Sequence, residues 1–99
     1  MDYFRAAFKL SAIQKGQLME KTIYTTEYTT FLEALRRARE HAGLTQVEFA
    51  ARLNVTQSFV SKCERGERRL DIVELRHWCK ALGITLAQFL ATYDVMCNN

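Results

Sequence analysis

Residues 46–63 read QVEFAARLNVTQSFVSKC, which divides into two short amphipathic helices separated by a turn of about three residues around Asn54. Two helices that cross steeply need a small side chain where their backbones approach, and Ala50 supplies it. Leu53, Val55, Val60 and Cys63 carry the apolar spacing expected to lock the unit inward. Asn54 stands at the turn, where a left-handed backbone is commonest, and asparagine adopts positive φ at modest cost.

Outward from this unit the chain is punctuated regularly. Thr30 with Glu33, Thr45 with Glu48, Asp71 with Glu74, and Thr85 with Gln88 each set a Ser/Thr/Asp three places before Glu or Gln, the pairing that satisfies open amides at a helix start. Gly43, Asn54, Gly66 and Gly83 alternate with them as stops. Helices are therefore expected at about 31–42, 46–53, 57–64, 72–82 and 86–92. Leu32, Leu35 and Ala42 share one face of the first, and Leu75, Trp78, Cys79 and Leu82 one face of the fourth. No alternating strand pattern interrupts residues 30–92, so the expected fold is all-α, a compact five-helix domain. Residues 1–29 are expected as an N-terminal extension and 93–99 as a C-terminal tail. Phe4, Ala7, Phe8 and Ser11 hint at an amphipathic turn or two, whereas Thr22–Thr30 is rich in β-branched and aromatic residues. Met19 could itself be a native beginning, making residues 1–18 an upstream extension; a flexible tail is the plainer alternative.

A chain of 99 residues has room for one core and no second catalytic domain. Its balance of apolar and charged residues is that of an ordinary globular protein rather than a disordered one. Cys63, Cys79 and Cys97 are too few for a zinc cluster and odd in number for a secreted disulfide framework, so a reducing, cytoplasmic setting is expected. Cys63 and Cys79 fall at core spacing, and Cys97 is expected to be exposed near the terminus. No apolar run reaches the roughly 18 residues of a membrane span. His41 and His77 have no ligand-spaced Cys or His, and no Ser/His/Asp or paired-carboxylate arrangement stands out. Catalysis, metal and cofactor are thus not expected. Trp78 reads as core.

The net charge of +3 permits an anionic partner without requiring one, and its distribution says more. Residues 44–70 hold Arg52, Lys62, Arg65, Arg68 and Arg69 against Glu48, Glu64 and Glu67, whereas 71–99 are slightly acidic. With Val60 and Cys63 inward, the helix that begins near Thr56 presents Gln57, Ser58, Ser61 and Lys62 outward. Gln pairs bidentately with adenine N6 and N7, Lys donates to guanine O6 and N7, and Ser bonds bases or phosphates. The helix start at Thr45 and Gln46 offers free amides to phosphate oxygens, and Arg68 and Arg69 flank the unit with positive charge. These features together point to double-stranded DNA.

The stretch LTQVEFAARLNVTQSFVSKCERGERRLD resembles the Cro and phage-repressor class of helix-turn-helix regulators, the XRE family. The likeness spans roughly residues 30–92, and its marks are Gly43-Leu44-Thr45-Gln46, Ala50, Ser61-Lys62 followed by Glu64 and Gly66, and Leu82-Gly83-Ile84. It implies a repressor-like fold, base contacts from Gln57, Ser58 and Lys62, and a phosphate contact from Gln46. Asn54 departs from the usual turn glycine, and Cys63 stands where a larger aliphatic residue is commoner.

Arg39 falls on the apolar face set by Leu32, Leu35 and Ala42, where a lone charge needs a partner. Glu64 is the best candidate, and in similar proteins the matching residues form a salt bridge. The leading functional expectation is a transcriptional repressor acting as a symmetric homodimer on an inverted repeat. Leu86, Phe89, Leu90, Tyr93 and Val95 are its expected dimer surface, with the N-terminal extension second. The alternative is an antitoxin that binds a toxin through residues 1–29 or its tail and autoregulates its operon.

Overall fold

The computed structural model describes residues 17–98, with side chains from residue 26 onward. Among these residues the chain forms five α-helices and no strand: α1 Gln17–His41, α2 Gln46–Leu53, α3 Gln57–Arg65, α4 Ile72–Leu82 and α5 Leu86–Cys97. Complete capping boxes open α2 at Thr45, α4 at Asp71 and α5 at Thr85, and the Thr56 hydroxyl accepts from the Phe59 amide at the head of α3. Gly43, Asn54, Gly66 and Gly83 all take positive φ. At Gly66 the requirement is double, because φ is +82° and an added β-carbon would lie 2.9 Å from Leu32 Cδ1 on α1.

The outer helices are longer than the sequence rules expect. Thr30 does not open a helix; it lies within α1, where its hydroxyl bonds the Thr26 carbonyl at 3.0 Å, while Glu33 turns to Arg37. The helix continues through this point because its earlier turns are packed. Phe31 meets Phe89 and Tyr93 of α5 edge-on, with centroids 6.0 and 5.7 Å apart, and Tyr28 lies beside Phe31. The Tyr93 hydroxyl donates to the Glu27 carbonyl at 3.0 Å. Burial, followed by a bond with Cys97, drives the Tyr93 phenol upward from its ordinary pKa. That attachment holds α5 helical to Cys97 rather than to residue 92, so Cys97 is half-buried. Boundaries at residues 30 and 93 therefore fall inside helices. Residues 1–16, including Phe4, Ala7, Phe8 and Ser11, lie outside the described part.

The core is built from Ala34 and Leu35 of α1, Phe49 and Ala50 of α2, Val60 and Cys63 of α3, Leu75, Trp78, Cys79 and Leu82 of α4, and Phe89 of α5. Its centre is Phe49 set edge-on against Trp78, with centroids 5.0 Å apart. Among the described residues, the Trp78 indole N–H has no hydrogen-bond partner. That costs about 1–3 kcal/mol, which burial of the large ring offsets. Burial pushes the Cys63 and Cys79 thiols above their usual pKa. Three expected placements are corrected. Ala42 is exposed, since α1 ends at His41 and the chain turns away; Val55 is 37% exposed, since it follows the left-handed Asn54 and stands outside both helices; and Phe89 is core. Leu86 and Tyr93 also pack on the core, leaving Leu90 and Val95 as exposed large apolar side chains of α5. Among the described residues, no helix is long and apolar enough to cross a membrane, and no group of three or more His, Cys, Asp or Glu could hold a metal.

Candidate nucleic-acid interface

The interface begins from a buried charge. Arg39 is only 8% exposed, and its guanidinium donates through Nε and Nη2 to the two Glu64 oxygens at 2.6 and 3.1 Å. Its Nη1 donates to the Leu44 carbonyl at 2.8 Å, so the same side chain ties α1 to α3 and to the loop before α2. The hydrogen bond with Glu64 raises the Arg39 pKa further and keeps the group charged. Glu64 has capacity to spare, because a carboxylate can accept more than two bonds.

Gln46, the first residue of α2, uses it: its Nε2 donates to Glu64 Oε1 at 2.9 Å. The Gln46 side-chain oxygen, Oε1, in turn accepts from Gln57 Nε2 at 2.7 Å. Arg39, Glu64, Gln46 and Gln57 thus form one chain of hydrogen bonds from the core to the exposed start of α3. Its polarity follows from its buried end. Glu64 can only accept, so Gln46 must turn its amide nitrogen inward and its oxygen toward Gln57. Gln57 must then donate, which leaves its own oxygen and one N–H facing solvent.

Val60 and Cys63 hold the inner side of α3 in the core, while Gln57, Ser58 and Lys62 are exposed and Ser61 is half-buried. Thr56 caps the helix with its side chain. At the start of α2 the Thr45 N–H is taken by Glu48, so the Gln46 and Val47 amides are the open donors at that end. The bond between Gln46 and Gln57 joins the starts of α2 and α3, which Thr45 and Thr56 cap, and Ser58, Ser61 and Lys62 follow along α3. Arg68 and Arg69 are engaged by neighbours within the chain. Arg68 lies over the Phe59 ring at 5.0 Å and donates to Glu74 at 2.7 Å and to the Arg69 carbonyl at 2.5 Å, while Arg69 stacks over Tyr28 at 4.7 Å. One outward group counts in the sequence only as part of the positive charge of residues 44–70. Arg65, one turn beyond Ser61, extends the polar face of α3, and its i+4 spacing from Ser61 was the available signal.

The Helix-turn-helix family matches this chain over residues 35–89, more than half its length and the span that carries the whole bihelical unit. The protein belongs to the XRE family of helix-turn-helix transcriptional regulators. An uncharacterized HTH-type transcriptional regulator, y4dJ, of Sinorhizobium fredii is 34% identical over 58 residues, covering 59% of this chain and 75% of that protein. The control protein C.MunI of a Mycoplasma species is 33% identical over 63 residues, covering 64% and 82% respectively. Among solved structures, an XRE-family-like protein from Pseudomonas syringae pv. tomato superposes with a TM-score of 0.71 at 44% identity, over 79% of this chain and 95% of the other. The clp gene regulator ClgR from C. glutamicum gives 0.64 at 28% identity, over 72% and 91%. This XRE-family chain is a transcriptional regulator with a helix-turn-helix DNA-binding domain.

Proposed function

We propose that the protein is a sequence-specific repressor that seats α3 in the major groove, reading bases with Gln57, Ser58 and Lys62 and blocking access to the promoter it occupies. The observation that carries this reading is the forced orientation of Gln57. Its free oxygen and remaining N–H are the acceptor and donor that match adenine N6 and N7. Lys62, one turn further on, suits guanine O6 and N7, and Ser61 supports either bases or backbone. The open amides at the starts of α2 and α3, with Thr45, Gln46 and Thr56 around them, clamp phosphates and set the approach. Arg68 and Arg69 contribute positive field to the phosphate backbone from the flank.

One α3 reads few base pairs, so useful selectivity calls for a homodimer on an inverted repeat with half-sites about 34–36 Å apart. Leu90 and Val95 are the exposed apolar residues of α5 that remain for such a contact. Regulation as the role accords with relatives named as a transcriptional regulator and as a clp gene regulator.

Selection of bound DNA from a random pool, followed by sequencing, tests the reading. The expected product is an inverted repeat with an adenine in each half-site. The double variant Gln57→Ala, Lys62→Ala should lose preference for that sequence yet keep weak, salt-sensitive binding. Unchanged selectivity in the double variant would refute the assignment.

A further inference from the structure

The last turn of α3 holds an arginine whose Nε and Nη1 donors are already engaged. Arg65 Nε donates to Glu67 Oε2 at 2.9 Å, and Nη1 donates to the Ser61 hydroxyl one turn back. Both ends of the ion pair are about half exposed, at 53% and 55%. The guanidinium thus lies along the polar face of α3, beside Ser61 and Lys62. Its Nε–H is committed to a carboxylate, which breaks the side-on pair of donors with which arginine grips a phosphate. Glu67 reaches it because Gly66, at φ +82°, turns the chain back directly after the helix. Arg65, and more weakly Lys62, hold the Glu67 carboxyl below the usual carboxylate range, so it is charged at neutral pH.

We infer that Glu67 is a placeholder for a DNA phosphate: it holds Arg65 against the recognition face in the free protein and is displaced when the backbone arrives. The inference rests on the DNA-binding reading above and adds two residues to it, Arg65 as a phosphate contact and Glu67 as its competitor. The exchange is chemically even, since both partners of Arg65 are oxyanions. An exposed pair of this kind is weak enough to open, so the placeholder lowers affinity by only about two- to fivefold. It also keeps the long side chain ordered before encounter, so less rotamer freedom is lost on binding.

The contrasting explanation is that Glu67 merely repels DNA through its charge. A double-mutant cycle on the full chain separates the two, with binding to a fixed duplex measured across a salt series. Under the placeholder reading, Glu67→Gln binds about two- to fivefold tighter with a log–log salt slope close to that of the wild type, because Arg65 reaches the same phosphate in both. Arg65→Gln binds more weakly with a shallower slope, and the double variant matches Arg65→Gln, because without Arg65 there is nothing to release. A Glu67→Gln gain that persists undiminished in the Arg65→Gln background overturns the inference and leaves the DNA-binding reading standing. No gain from Glu67→Gln alone overturns it as well. Failure of the wild-type chain to bind any duplex at low salt overturns the reading and the inference together. Both side chains are half exposed, so the variants are expected to fold, which coincident thermal transitions verify.

Discussion

Two Arg–Glu pairs meet at consecutive residues of the same helix, one turned inward and one outward, and they differ in nearly everything except their chemistry. On the inner side, Arg39 and Glu64 are 10% and 5% exposed and are crossed by further bonds to Leu44 and Gln46. On the outer side, Arg65 and Glu67 stand in water and can part freely. Contact distance barely separates the pairs, at 2.6 and 2.9 Å, so distance cannot decide which of them matters to the fold. Solvent access does, because an abandoned charge inside has no water to return to.

The largest expected effect is on the inner side. Arg39→Ala strands Glu64 and should cost about 3–5 kcal/mol in urea denaturation, whereas Arg65→Ala should fall within the small range of surface substitutions. Equal costs for the two would break the comparison. The double change Arg39→Met, Glu64→Leu sharpens it. Well-packed apolar replacement should recover most of the stability, yet Gln46 would lose its anchor and selectivity for DNA should not return.

An intermediate effect is expected at the cap. Thr56→Ala frees the Phe59 amide at the solvent-exposed head of α3 and should lower stability by about 1 kcal/mol, read from the same urea transitions. The smallest effect concerns pH. The bond from Arg68, and then the Asp71 amide, hold the Glu74 carboxyl below its usual range. A depressed folded pKa adds stability above the unfolded glutamate value of about 4.3, and that increment disappears as pH falls through the lowered value. Arg68→Gln should therefore narrow the stability difference between neutral and acid pH slightly. A widened difference would contradict the assigned cause.

Helix starts and stops were legible because each is written locally. The Thr45, Asp71 and Thr85 boxes and the four positive-φ stops need only neighbours three or four residues away. Thr30 carries the same local spelling and opens nothing, because Phe31 is held by α5 residues some sixty positions on, a contact no window contains. Phe89 was read as surface for a related reason. The apolar residues of α5 encircle the helix, so periodicity does not reveal which side faces inward until α1 is in place. Arg39 falls by spacing on an apolar face, and in the folded chain its guanidinium lies 2.6 Å from Glu64. The Gln46–Gln57 bond, by contrast, depends on the angle between α2 and α3, which spacing does not encode. The ring contacts of Arg68 and Arg69 were equally hidden, since a charge cluster states its sign and not its neighbours.

Gly66 acts as a mechanical stop for α3. With no side chain there, the end of the helix comes to rest close to Leu32 on the longest element of the protein, while Thr56 fixes the opposite end. A helix seated at both ends cannot slide along its own axis. Under the proposed reading, the interval between Gln57 and Lys62 then behaves as a ruler whose zero mark is machined into α1, so the register of base reading is set in part by a packing contact that carries no base-reading group.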